Sequence, residues 1–254
     1  MNKKHAFILA LLITILLANT FFVLNIQSQK KSKETKILAR VIDGDTIKTS
    51  DGQTIRLLNI NTPEKGTINA ELSKQFLGKF LNQSIQLEII GYDKYKRLLA
   101  RIYTSTPSQV YLNLELVKLG LSSKFLVDNS ELTEFANAED NAIKKGIGIW
   151  NHSAYFSCFK SKILPKEEKV ILESTCSQIN LNLWYLKDES RKTYFFKNIS
   201  LSGAIKLAIH SNEGKDNTTD IFWNSKTDIW NNDCDSLYLF DSGGNIAHYE
   251  SYCY

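Results

Sequence analysis

Three short stretches carry oxygen ligands and guanidinium groups in patterns that a hydrolytic or anion-binding site can use. Ile42 to Thr46, IDGDT, places Asp43 and Asp45 around a glycine on a β-like run. Arg56 to Glu64, RLLNINTPE, brings Arg56, Asn61, Thr62 and Glu64 together, and Thr62-Pro63 forces a turn straight after the apolar residues. Asp93 to Arg97, DKYKR, puts a second arginine at the start of a strand. Oxygen-rich side chains without a His or Cys cluster favour a hard cation, calcium or magnesium, over zinc. A carboxylate-bound cation beside two arginines suits a phosphodiester. Guanidinium forks match phosphate oxygens and stabilise the charge of a five-coordinate phosphorus, while a remaining carboxylate activates water. Each stretch also has an ordinary counterpart: Asp-Gly-Asp as a turn, Arg56 with Glu64 as a surface ion pair, Arg97 as a solvated strand end.

The elements around these stretches can be read from periodicity. Apolar and β-branched residues recur from Ile37 to Ser50, and Asp51-Gly52 offers a tight hairpin into QTIRLLNI. Residues 69–82 place Ala70, Phe76, Leu77, Phe80 and Leu81 at helical spacing, so a helix is expected after the Thr-Pro corner. SIQLEII and RLLARIYT read as two strands joined by the polar turn GYDKYK. LNLELVKLGL and Glu131–Lys145 read as amphipathic helices, the second ending before Gly146. The sum is a compact α+β barrel-like domain.

That segment resembles the thermonuclease, or staphylococcal nuclease, family. The likeness rests on VIDGDTIK, IRLLNINTPE, DKYKRLLARIY, LNLELVKLGLS and AEDNAIKKGIGIW, in that order. The resemblance implies an OB-fold barrel of five strands with three helices, and hydrolysis of DNA and RNA with one calcium ion. It implies Asp45 as the calcium carboxylate, Thr62 as a backbone-carbonyl ligand, and Asp43 orienting ligands and waters around the ion. Glu64 becomes the general base, and Arg56 and Arg97 hold the scissile phosphate. Tyr95 is a candidate nucleotide contact. Two positions depart from the pattern. Asn61 stands where the family has a second calcium aspartate, so the resemblance implies a weaker metal site. Lys96 stands where the family has glycine in a tight turn; if that turn needs positive φ, lysine costs about 1 kcal/mol.

The 254-residue chain carries a formal charge of +4, and its distribution matters more than its size. Residues 1–35 hold +4, residues 36–152 +2 and residues 153–254 −2, so bulk charge gives no case for nucleic-acid binding and any anion site must be local. Lys3 and Lys4 precede an uncharged run from Ala6 to Ile26, long enough to cross a bilayer as a helix. It is expected to be a signal anchor or a cleaved signal peptide, followed by a polar tether to residue 35. All four cysteines lie at or beyond Cys158, without the spacing of a zinc site. They point to one or two disulfides in an oxidising compartment, with the pairing open. The expected location is extracytoplasmic, membrane-anchored or secreted.

Four regions follow: the N-terminal segment 1–35, the nuclease-like domain 36–152, a linker 153–169 containing Cys158 and Pro165, and a β-rich segment 170–254. In the last, VILES, INLNLWYL, TYFFKN, AIKLAIH, DIFWN, SLYLFD and IAHYESY alternate with polar turns, which suggests an all-β sandwich. The Trp184 strand, the IWNN turn and LYLFD-x-GGN resemble the immunoglobulin-like lamin-tail domain, which implies a tethering or binding role with an unknown ligand. The expected function is an exported calcium-dependent endonuclease acting on DNA and RNA. Asn61 keeps open a non-catalytic OB-fold module that binds nucleic acid with a weakened metal site.

Overall fold

The computed structural model describes residues 14–15, 33–63, 65–66, 68–105, 108–202 and 205–253. Strands β1 (Glu34–Asp43), β2 (Thr46–Thr49) and β3 (Thr54–Leu57) form a meander, and the two-residue β4 (Ile60–Asn61) follows. With β5 (Ser84–Tyr92) and β6 (Leu98–Thr104) the meander closes into a barrel in the order β1-β2-β3-β6-β5. The period-two alternation read from the sequence points Leu38, Ile47, Ile55, Leu57, Ile85, Leu87, Ala100 and Ile102 inward, all fully buried. β7 (Ser123–Lys124) pairs with β4.

Three helices cover the barrel: α1 (Ile68–Gly78), α2 (Leu112–Lys118) and α3 (Leu132–Lys145). Helix α3 stops where the sequence placed its glycine, with Gly146 left-handed at φ 62°. Helix α1 ends earlier than the expected residue 82. After Gly78, turn bonds such as Phe80 N–H to Leu77 O (3.1 Å) tighten the chain towards β5. The continuous β run expected over Ile37–Ser50 breaks at Gly44. A Cβ there would lie 2.5 Å from Ser73 Cβ and 2.9 Å from Thr62 Cβ, so only glycine lets α1 and the Thr-Pro corner close on this turn.

Each of the seven β-like runs beyond residue 170 contains a strand. They hold β9 (Lys169–Ser174), then β10 (Ile179–Asn180) and β11 (Tyr185–Lys187) both from INLNLWYL, β12 (Thr193–Phe195), β14 (Lys206–His210), β15 (Asp220–Phe222), β16 (Asp235–Phe240) and β17 (Ile246–Tyr252), with β13 (Ser200–Leu201) between. The expected linker is corrected in part: Phe159–Leu164 forms β8, paired along its whole length with β9. FKSKIL alternates Phe159, Ser161 and Ile163 with lysines, a strand pattern that the neighbouring cysteine and proline obscured. Two four-stranded sheets result, β12-β11-β16-β17 and β15-β14-β9-β8, with β14 and β15 parallel. They share one apolar core in which Val170, Leu172 and Leu207 of one sheet meet Leu186, Leu237 and Leu239 of the other. The four cysteines pair as Cys158–Cys176 and Cys234–Cys253. Each closes a short loop, and constraint of the unfolded chain is worth about 3 kcal/mol per loop of this size.

The two-sheet half packs directly onto the barrel half. Ala142 and Ile143 of α3 and Trp150 share a core with Tyr238, Phe240 and Ile246. Between them lies a buried ionic cluster, in which Lys124 Nζ meets Glu139 Oε2 at 2.9 Å, Ser236 Oγ at 2.6 Å and Glu189 Oε2 at 3.5 Å. Tyr238 donates its hydroxyl to Glu139 Oε2 at 3.0 Å. Among the described residues no helix is long and apolar enough to cross a membrane. Only Thr14 and Ile15 of the N-terminal apolar run are described, so the expected hydrophobic helix and membrane contact lie outside the described residues.

Candidate phosphodiester site

The site is built from two turns and a strand. The β1–β2 turn presents Asp45, whose main-chain carbonyl is fixed by Leu57 N–H at 2.9 Å. The end of β4 presents Asn61 and the Thr-Pro corner after it Thr62, and β3 presents Arg56 opposite Thr46. Asp45, Asn61 and Thr62 are all buried. Asp45 Oδ2 accepts from Thr62 N–H (3.2 Å) and Thr62 Oγ1–H (3.1 Å), and Arg56 Nη2 stands 3.4 Å away. Asp45 Oδ1 accepts from Thr46 Oγ1–H at 3.0 Å.

Arg56 is tied down by three acceptors besides Asp45. Its Nη2 donates to Asn61 Oδ1 (2.7 Å) and to Ile60 O (2.8 Å), and its Nη1 donates to Leu57 O. Burial does most to lower the Arg56 pKa; Asp45 opposes that, and the positive charges of Arg97 and Arg191 add to it. The net value lies below the ordinary guanidinium range, yet arginine stays charged.

Arg97 is held by the β5–β6 turn. Its Nε donates to Asp93 Oδ2 at 2.6 Å, its own N–H to Asp93 Oδ1 at 2.9 Å, and Tyr95 N–H reaches the same oxygen at 2.8 Å. Burial raises the Asp93 carboxyl, but these amides and the guanidinium outweigh it and hold it below its usual value. Lys96 sits in this turn at φ 63°, so the expected positive φ is present and a lysine side chain occupies the left-handed region. Asp93 nonetheless keeps Arg97 facing the same cavity as Arg56, a space of about 540 Å³.

Residues 54–152 match the family model described as staphylococcal nuclease homologue. They form a staphylococcal-nuclease-like domain, and with β1 and β2 ahead of them they complete the five-stranded barrel and its three helices. No curated protein matches the chain.

Within the nuclease-like domain the structure brings Asp45, Arg56, Asn61, Thr62 and Arg97 to one corner. Asp43 stands apart: its Oδ1 accepts from Gly44 N–H at 2.9 Å, and its Oδ2 lies 3.7 Å from Lys65 Nζ. It faces a different opening, shared with Lys65, Glu71 and Lys74. Tyr95 is largely exposed, with the Arg97 guanidinium carbon 5.4 Å from its ring centre. Glu64, the expected general base, lies outside the described residues.

The residue that sequence reasoning missed is Arg191. It comes from the turn between β11 and β12, and its Nη1 donates to Thr62 O at 2.8 Å. Nothing in Lys187–Lys192, KDESRK, separates it from any polar hairpin turn.

Calcium can be tested against this donor set. It takes six to eight oxygens at short range. Of the expected ligands, the Asp45 Oδ2 and Asn61 Oδ1 atoms and the Thr62 carbonyl all accept hydrogen bonds, two of them from guanidinium groups. Asp45 is the one carboxylate of that set among the described residues, with Arg56 Nη2 3.4 Å from it, while Arg191 sits on the Thr62 carbonyl. No group of three or more His, Cys, Asp or Glu residues suited to a metal occurs among the described residues. In this arrangement these residues do not fit the ion.

Proposed function

We propose that the nuclease-like barrel binds the phosphodiester backbone of nucleic acid through Arg56 and Arg97, in a pocket whose cationic charge comes from arginine rather than calcium. The observation that carries this reading is the pocket wall. Among the described residues lining it, Arg56, Lys94, Arg97 and Arg191 face Asp93 as the one acidic side chain. An open cavity with that balance attracts an oxyanion, and bidentate guanidinium donors match phosphate geometry. Lys94 and Tyr95 at the mouth suit a flanking phosphate and a stacked base. The test is binding of labelled single-stranded DNA by the whole chain in non-ionic detergent with a chelator present. Retained binding that weakens about tenfold in Arg56→Ala or Arg97→Ala supports the reading, since bonds to charged groups are worth about 1.5–3 kcal/mol. Binding that needs calcium overturns it.

A second reading is favoured by the convergence of Asp45, Thr62, Arg56 and Arg97 on one corner within a nuclease-like domain. In it the protein is an exported calcium-dependent endonuclease for DNA and RNA. Calcium-dependent cleavage, lost in Glu64→Gln, identifies that case. The two disulfides support an oxidising, extracytoplasmic location for either reading. The paired sheets support an immunoglobulin-like, lamin-tail-like module that positions the barrel.

A further inference from the structure

A second cavity lies where the two halves meet, and the alternation of two strands builds one of its walls. Along β11 and β16, Leu186, Leu237 and Leu239 enter the core between the sheets, so Tyr185, Lys187, Tyr238 and Phe240 fall on the opposite face. The register pairs Tyr185 with Phe240 and Lys187 with Tyr238, which gathers the three aromatic rings. Trp150 joins them, its ring 5.2 Å from Tyr238 and 6.5 Å from Phe240, and Tyr185 stacks on Phe240 at 5.0 Å. All four rings line a cavity of about 240 Å³, together with Asn61 and Asn69 of the barrel half. Trp150 is 2 % exposed, and its indole N–H has no hydrogen-bond partner among the described residues, though a buried indole usually finds one. This wall is not a finished core.

We infer that this cavity is a nucleobase subsite, receiving one unstacked base of the strand whose phosphate lies against Arg56 and Arg97. The inference rests on the reading of the barrel as a phosphodiester binder. The cavity shares Asn61 and Arg191 with the wall of the 540 Å³ phosphate cavity, so base and backbone take neighbouring spaces, as they do in a nucleotide. Its walls combine aromatic rings, against which any base can pack, with amide side chains that match the donors and acceptors of a base edge. Its size suits a single base: clefts for drug-sized ligands run to about 300–1,000 Å³, and this one is smaller. A base in a duplex must first be unpaired and unstacked to enter, so the subsite favours single-stranded nucleic acid. The barrel then supplies the phosphate contacts, and the C-terminal half supplies rings for the base.

The test compares two labelled probes bound by the whole chain in non-ionic detergent with a chelator: a single-stranded DNA dodecamer and an abasic dodecamer with the same phosphates. The DNA is expected to bind about tenfold more tightly, a factor within the range for stacking one base on aromatic rings. That ratio is expected to fall to about one in Asn69→Trp, which fills the cavity, and in Tyr185→Ala, which removes part of its wall. Where the two variants differ, or Tyr185→Ala fails to fold, Asn69→Trp decides. Equal binding of both probes by the unmodified chain overturns the inference and leaves the parent reading standing. A ratio that persists in Asn69→Trp also overturns it, and loss of that ratio in Tyr95→Ala instead would put the base at the mouth of the phosphate cavity. If neither probe binds, the parent reading falls and the inference goes with it.

Discussion

Two ionic clusters adjoin the same small sheet, β4 paired with β7, one through Lys124 and the other through Asn61, and they have opposite characters. In the first, Lys124 is enclosed with Glu139 and Glu189, one cation with two carboxylates, and hydroxyls of Ser236 and Tyr238 complete the network. In the second, Arg56, Arg97 and Arg191 line an open cavity, with Asp93 the acidic side chain among its described walls. The turn at residues 188–192 reaches both, through Glu189 to the first and through Arg191 to the second. A closed, acid-rich cluster glues two halves together. The base-rich cluster borders an open cavity instead. Solvent access separates the two: one cluster is buried between the halves and the other borders a cavity.

The largest test of that contrast is Lys124→Ala. It strands Glu139 and Glu189 in a buried setting, so urea unfolding should show a loss of about 3–5 kcal/mol. A loss below 1 kcal/mol would mean the closed cluster is not the glue.

Next comes the shared turn. Burial raises the Asp188 carboxyl to about 6, with Ser190 pulling it down and Asp235 pushing it up. A folded pKa above the unfolded value means the contribution is present at low pH and lost as pH rises from about 4 through 6. Against Asp188→Asn, the native chain should therefore lose on the order of 2 kcal/mol across that window. Parallel pH–stability profiles would show that the turn holds Arg191 without this strain.

Arg97→Ala should be nearly silent in stability, within about 1 kcal/mol, because its Asp93 pair is partly exposed. DNA binding should fall about tenfold in the same variant, a split that marks the open cluster as functional. The smallest effect belongs to Lys96→Gly, which relieves the left-handed strain at φ 63° and should raise thermal stability by about 1 kcal/mol, leaving the Arg97 pocket and its salt dependence unchanged.

Much of the barrel was legible because its signals are local. Alternating apolar residues set the strands, Thr62-Pro63 set the corner, and Gly146 set the end of α3. The ordered motifs identified the corner that gathers Asp45, Arg56, Asn61 and Arg97, and the doubt about Asn61 was readable from its side chain. The strand at Phe159–Leu164 was hidden because a cysteine and a proline flank a lysine-rich alternation. The resemblance placed Asp43 around the ion; its carboxylate lies 3.7 Å from Lys65 and lines a different opening from Arg56 and Arg97.

The sequence by itself thus determined the elements, the turn chemistry and the two barrel arginines, since each depends on residues within a few positions of one another. Only the tertiary structure decided what the corner contains. Arg191 and Thr62 are 129 residues apart, and their hydrogen bond exists because the buried Lys124 cluster and the shared aromatic core dock one half on the other. That the Thr62 carbonyl meets a guanidinium is set by that docking, and docking is a property of complementary surfaces that no local pattern in the chain encodes.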